Sequence, residues 1–383
     1  MFFAPDAPRD LYRRRPRRWP LVAALLALGG VLYLRERPAI VQRQIARYLP
    51  SPTPGPTATP PLPAALATAE AARRAGRQGE ALAAWATAQA LDPARADVAL
   101  ARVRRLAARR RYADAAAAAA TAVAAAPDAS DAQAAQAIAL DWSGEPEAAI
   151  DAALKAVDLD PDNPAARAAL AEAYAGAGRW DPALAEAEKA VERGPDDAYA
   201  ARALGLAWES RGALAQALAH YERAAELEPR NTLFQIDIGR VQRFSGNAAG
   251  ARDAFTAATA IDPDDPIGWD NLGLLDYDAG DYDAATSRFE RAVRADDAYA
   301  PGHGHLGWTA YAAKHWEEAA HHLQRAIDLG AQQSDFYYML GFSLAFQDRC
   351  ADARTWFEQA LAIDPTSQPA HEGMKLCSFE PSP

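Results

Sequence analysis

The chain has 383 residues, more than one compact core usually serves, so several domains or a repeat array are expected. Its formal charge of -11 is unevenly spread: residues 1–49 carry ten Arg against Asp6, Asp10 and Glu36, so the remainder is strongly acidic and lacks the basic footprint that nucleic acid requires. Two cysteines are too few for a disulfide framework or a Cys-rich metal site, although they allow one disulfide outside a reducing compartment.

Residues 1–18 form a basic tail in which Arg13, Arg14, Arg15, Arg17 and Arg18 precede an apolar run at 19–34. Arg35, Glu36 and Arg37 close that run, the pattern of an export signal or signal anchor. The basic flank belongs on the cytoplasmic side, which predicts a single-pass membrane protein with its C-terminal body outside the cytoplasm. As a helix the run spans about 24 Å, short of a ~30 Å hydrocarbon core, a mismatch that Trp19 and snorkelling Arg flanks would cover. Cleavage after the small residues near Ala27-Leu28-Gly29 is the alternative, but apolar residues continue past that point, which favours an uncleaved anchor. Residues 35–49 read as a juxtamembrane amphipathic helix with Ile40, Val41, Ile45, Tyr48 and Leu49 on one face. Residues 50–61 are a Pro- and Thr-rich linker whose proline density forbids helix and favours an extended polyproline II spacer.

From residue 62 a 34-residue period takes over. Pro93, Pro127, Pro161, Pro195, Pro229, Pro263 and Pro365 recur in phase, with Asp297 and Ala331 in the two remaining places. Numbering these places as position 32 gives nine units beginning at 62, 96, 130, 164, 198, 232, 266, 300 and 334. Position 20 is Ala in every unit, from Ala81 to Ala353, and so is position 27, from Ala88 to Ala360. Position 15 is Gly in six units, where a first helix must end and turn. Position 8 is small except at Val103, and position 24 carries bulk at Trp85, Tyr221, Phe255, Phe289 and Phe357. Proline at position 32 stops the second helix.

These columns resemble the tetratricopeptide repeat, and the N-terminal segment suggests a signal-anchored bacterial type of that family. The resemblance covers residues 62–367. It implies an all-α, right-handed α-solenoid of nine helix-turn-helix units, whose first helices line a concave face that binds peptides or proteins. Residues 368–383 begin a further first helix, the polar cap such an array needs. Arg102 and Gln136 stand at position 7, where the family usually buries Leu, and residues 115–120 are all Ala, so units 1–3 are expected to be the weaker end.

No phosphate loop, G-x-S-x-G elbow or H-E-x-x-H motif occurs, and no cofactor is implied, so the chain is expected to be non-catalytic. His303, His305, His315, His321 and His322 fall in unit 8, but the spacing makes their side chains diverge, and surface or groove histidines explain them better than a metal site. Family positions 2, 5, 6, 9, 12 and 13 face inward. They hold mainly Ala in units 1–4. In the later units they hold Tyr199 and Arg202, then Arg240, Arg243, Phe244, Tyr277, Trp308, Tyr311, Tyr338, Met339, Phe342 and Phe346. Aromatic and Arg side chains are those enriched at binding hot spots, so a partner-binding groove is expected on units 6–9, with Arg240 and Arg243 meeting one acidic group of the ligand. A carbohydrate or cell-wall binding module is the alternative, since sugars also stack on aromatics. Cys350 and Cys377 are a candidate disulfide between the last full unit and the terminal helix.

Overall fold

The computed structural model describes residues 60–377. The basic tail, the predicted anchor at 19–34, the juxtamembrane helix and nearly all of the Pro/Thr-rich linker lie outside the described residues. Among the described residues all regular structure is helical, and no helix is long and apolar enough to cross a membrane.

Nineteen helices follow one another among these residues. They are α1 (Leu62–Arg74), α2 (Gln78–Leu91), α3 (Ala96–Ala108), α4 (Tyr112–Ala125), α5 (Ser130–Trp142), α6 (Pro146–Leu159), α7 (Pro164–Gly176), α8 (Trp180–Arg193), α9 (Ala198–Ser210) and α10 (Leu214–Leu227). The series continues with α11 (Thr232–Phe244), α12 (Ala248–Ile261), α13 (Pro266–Asp278), α14 (Tyr282–Ala295), α15 (Ala300–Ala312), α16 (Trp316–Asp328), α17 (Ser334–Ala345), α18 (Cys350–Ile363) and α19 (Gln368–Leu376). Odd and even helices pair as hairpins, each hairpin packs on the next, and α19 covers the last.

Local sequence sets the boundaries. Asn163, Asp197, Asn231 and Asp265 accept hydrogen bonds from the first free amides of α7, α9, α11 and α13, the usual N-cap arrangement. The residue at position 15 takes a left-handed conformation whether or not it is Gly, and Arg110, Lys314 and Asp348 do so at φ 58, 62 and 60°. A side chain there costs about 1 kcal/mol or more, so these turns are held by their surroundings.

Position 8 and position 24 make one contact, and it differs along the array. In units 5–9 a glycine receives a large side chain. A Cβ on Gly239 or Gly273 would lie 2.4 Å from the ring of Phe255 or Phe289, and Gly205, Gly307 and Gly341 meet Tyr221, Leu323 and Phe357 in the same way. In units 3 and 4 both places are alanine, Ala137 with Ala153 and Ala171 with Ala187, all fully or almost fully buried.

The first helices differ likewise. α3, α5, α7 and α9 pack directly on one another, whereas α11, α13, α15 and α17 barely touch. Alanine makes the former possible: Ala134, Ala135, Ala165, Ala166, Ala168, Ala169, Ala200 and Ala203 are buried between them. The inner face of units 3 and 4 is therefore packed helix.

The tight first half brings distant units together. The Gln78 side chain donates to the Arg230 carbonyl, 152 residues on, at 2.7 Å. Arg109 pairs with Asp262 at 2.7 Å, 153 residues on, and also donates to the Asp264 carbonyl. The array thus returns on itself after about four and a half 34-residue units, in the manner of a closely wound solenoid. Arg105 reaches the Tyr199 hydroxyl at 2.8 Å and Glu228 at 2.6 Å, Arg73 also reaches Glu228, and Arg104 lies 4.1 Å over the Tyr199 ring. Arg110, in its strained turn, stands 5.8 Å over the Tyr299 ring.

Candidate functional site

Rings meet on the inner side of units 7–9. Tyr277 on α13 contacts Tyr282 at 5.1 Å and Trp308 on α15 at 5.9 Å between centroids. Trp308 in turn packs against His305 and Phe336. A second series runs from Tyr311 to Trp316 at 5.4 Å, to Phe346 at 4.6 Å, to Phe342 at 6.0 Å and to Tyr338 at 6.4 Å. Tilted and edge-on pairs at these distances are the favourable ones, so the rings hold one another in place. Tyr277, Trp308, Tyr311, Tyr338, Met339 and Phe342 are all half-buried, and Phe346 is 46% exposed.

Burial raises the Tyr338 phenol above its ordinary value, and Asp335 and then Tyr311 and Tyr277 push it the same way. Burial also raises Tyr311 and Tyr277. Tyr221, Tyr299 and Tyr337 donate to Glu209, Asp270 and the Ala331 carbonyl. By contrast, the hydroxyls of Tyr277, Tyr311 and Tyr338 make no hydrogen bond among the described residues. The Trp308 indole N–H is shielded and has no acceptor, an arrangement that native interiors mostly avoid.

Trp316 joins Tyr311 to Phe346 in the second series, yet it opens a second helix, outside the inward positions of the first. An aromatic at position 17 beside an inward Tyr311 was the signal for it. Phe244 stands apart from the rings, 65% exposed.

The arginines are paired within the array. Arg240 is bonded to Glu209 and lies 3.2 Å from Asp237, and Arg243 is paired with Asp278 at 2.7 Å. The two guanidiniums therefore serve different carboxylates of neighbouring units and do not converge on one external acid. Tyr199 and Arg202 are buried, not displayed. Arg202 lies between Glu172 at 2.9 Å and Asp237 at 2.7 Å, with Trp142 at its face. Burial raises the Asp237 carboxyl against the pull of Arg202. The Asp141 carboxyl is raised to about 7, by burial and then by Glu172, against Arg202.

The unit 8 histidines have structural partners. His305 is bonded to Asp270 at 2.6 Å inside the core. His303 meets the Asp297 carbonyl and faces His322, with their Nδ1 atoms 3.3 Å apart. No third ligand joins them, and no group of three or more His, Cys, Asp or Glu residues suited to a metal occurs among the described residues. Cys350, which opens α18, and Cys377, just past α19, are joined by a disulfide with Cα atoms 5.2 Å apart. Antiparallel packing of α19 on α18 sets the end of one beside the start of the other. A cleft of about 670 Å³ lies away from the aromatic surface, between Arg109–Tyr112 and loops that include Tyr299 and Gln333.

Sequence models described as tetratricopeptide repeat match residues 143–207 and 210–272 in one case, and 100–164 and 305–367 in another, together more than half of the chain. No curated protein matches the chain in sequence. Among solved structures, the APC/C hetero-tetramer Cut9-Hcn1 aligns with TM-score 0.59 and 19% identity over 78% of this chain. The alignment spans 59% of that structure's chain. The human IFIT1 dimer, solved with m7Gppp-AAAA, aligns with TM-score 0.54 and 18% identity over 80% of this chain and 78% of its own. At such identities the likeness is one of fold.

Proposed function

Since the chain belongs to the tetratricopeptide-repeat family, whose members typically serve as protein-binding scaffolds, we propose that it is a non-catalytic scaffold that holds a protein or peptide partner on the inner face of units 7–9. The observation that carries this is the two ring series, Tyr277 with Trp308 and Tyr311 through Phe346 to Tyr338, partly exposed where the first helices stand apart, while the first helices of units 2–5 pack on one another. Large, rigid aromatics remove much area from water at low entropy cost. In this reading residues 19–34 anchor the array to the membrane and the repeats lie outside the cytoplasm.

Capture of partners from detergent-solubilised membranes by the full-length protein tests the surface. Tyr338→Ala and Phe346→Ala should each weaken capture by about 1–4 kcal/mol in free energy with the helical signal unchanged. Capture that survives both and fails on Arg105→Ala would move the site to the other half. A reporter active only after export, fused after Pro63, should be active; an inactive fusion would overturn the topology.

A further inference from the structure

We propose that the cleft between the α3–α4 turn and the loops before α15 and α17 is a binding site for a short peptide with both termini free, separate from the aromatic surface. Its walls come from units far apart in the chain, residues 109–112 on one side and residues from 296 to 301 and 329 to 333 on the other, and they enclose about 670 Å³. Two contacts hold the walls together. Arg109 is paired with Asp262 at 2.7 Å, and the Arg110 guanidinium stands 5.8 Å over the ring of Tyr299, which is buried and donates to Asp270. A cleft tied down in this way is formed before a ligand arrives, so little ordering opposes binding. Small-ligand sites span ~300–1,000 Å³, and this one holds more than a single amino acid would fill.

Two opposite charges that line this cleft lack ionic partners. Arg110 and Asp296 are both exposed, and neither belongs to an ion pair among the described residues. Asp296 accepts a hydrogen bond from the Ala298 amide at 2.9 Å, which leaves its charge uncompensated. The other charges at hand are committed. Arg109 is paired with Asp262 and Arg111 with Asp114 at 2.6 Å, while Asp265 and Asp270, whose fields reach Arg110, are bonded to the start of α13 and to His305. Arg110 also keeps a left-handed conformation at φ 58°, where six units place Gly. Lys314 and Asp348 do the same, so strain alone marks no site; at Arg110 it coincides with an unpaired cation in a cleft. An anion alone would leave Asp296 bare, and a cation alone would leave Arg110 bare. A peptide with a free carboxylate and a free ammonium satisfies both, the carboxylate in a charge-assisted pair with the guanidinium. Its amides would meet the Tyr112 hydroxyl and the side-chain amides of Gln332 and Gln333, which make no hydrogen bond among the described residues. An apolar side chain would lie against Ala298, Pro301 and Leu329.

The test is calorimetric titration of full-length protein in detergent with the tripeptide Ala-Leu-Ala, free at both ends, and with its N-acetylated and C-amidated forms. The free tripeptide should bind saturably, and each blocked form roughly tenfold more weakly or worse, since each loses a hydrogen-bonded charge. Arg110→Gly restores the residue that six units carry at this turn, so the melting temperature should hold or rise while binding of the free tripeptide falls by a similar factor. In that variant amidation should make no further difference, whereas acetylation still should. Asp296→Asn keeps an acceptor for the Ala298 amide and should show the reverse, with acetylation making no further difference. Free leucine should bind more weakly than the tripeptide. No saturable binding of Ala-Leu-Ala by the wild type, or binding that both Arg110→Gly and Asp296→Asn leave intact, would overturn the site. Blocked forms that bind as tightly as the free tripeptide would overturn the termini as what the cleft reads, and leucine binding as tightly would overturn the peptide as its ligand. Tyr338→Ala and Phe346→Ala should leave this binding unchanged; its loss in those variants would contradict a site separate from the aromatic surface.

Discussion

The two halves of the array use the same repeat to opposite ends. In units 2–5 alanine on the inner face lets first helices pack on one another, the solenoid curls tightly, and arginines from units 1 and 2 cross to carboxylates and tyrosines of units 5–7. From unit 5 onward large side chains fill the hairpins at position 24, and in units 7–9 the first helices stand apart and aromatic side chains are left on the inner face. A repeat protein therefore needs no change of fold to turn a concave face from a self-contact into a surface for others. The size of a few inward residues decides it.

The contrast can be broken first in the hairpins. Phe289→Ala should cost about 3–5 kcal/mol in urea unfolding, because the ring is fully buried against Gly273. Ala153→Gly, at the same place in unit 3, should cost about 1 kcal/mol. Equal costs would mean that bulk at position 24 is not what separates the halves. Arg202→Ala should cost about 3–5 kcal/mol, since it leaves Glu172 and Asp237 buried without their cation. Replacing Cys350 and Cys377 by Ser should cost up to about 3–4 kcal/mol on chain-entropy grounds, because the bond closes a loop over a separation of 27 residues. Hydrogen exchange should place that loss in α18 and α19.

A further effect separates the halves by pH. The Asp141 carboxyl titrates near 7 in the folded chain and near 3.8 when unfolded. Folded protein therefore binds this proton more tightly. The stability it contributes is complete below about pH 4 and is lost as pH rises towards 7. Asp141→Asn should remove that slope and raise the melting temperature at pH 8 relative to wild type, with little difference at pH 4. A difference that grows towards acid pH would have the wrong sign. The crossing contact of Arg109, itself more exposed than Arg105, should respond least: Arg109→Ala should loosen the turn by about 1 kcal/mol, read as faster hydrogen exchange in the loop around Asp262.

Much of the helical array was legible in the sequence, because each hairpin is specified locally. Position 15 turns, position 32 prolines and the alanine columns at 20 and 27 mark the same hairpins that pair in space. Contacts that depend on accumulated curvature were not legible. Small rotations between units add up before Arg109 meets Asp262, and no short motif records the sum. The pairing of Arg240 and Arg243 within the array had a readable cause. Glu209 and Asp278 occupy inward places on the adjacent units, so each arginine had an acid one repeat away. Tyr199 and Arg202 are buried because a family position that faces an open concave surface faces another helix when the turn is tight. Trp316 was passed over because it lies on a second helix.

The account turns on which half of the inner face is free to receive a partner. Ala101 and Met339 occupy the same position 6, in units 2 and 9, and both are partly exposed. A photoreactive benzophenone side chain placed at each in turn, in full-length protein in native membranes, tests that directly. Illumination should give adducts to a second chain or another protein from position 339 and none above background from position 101. Adducts from position 101 with none from 339 would contradict the account.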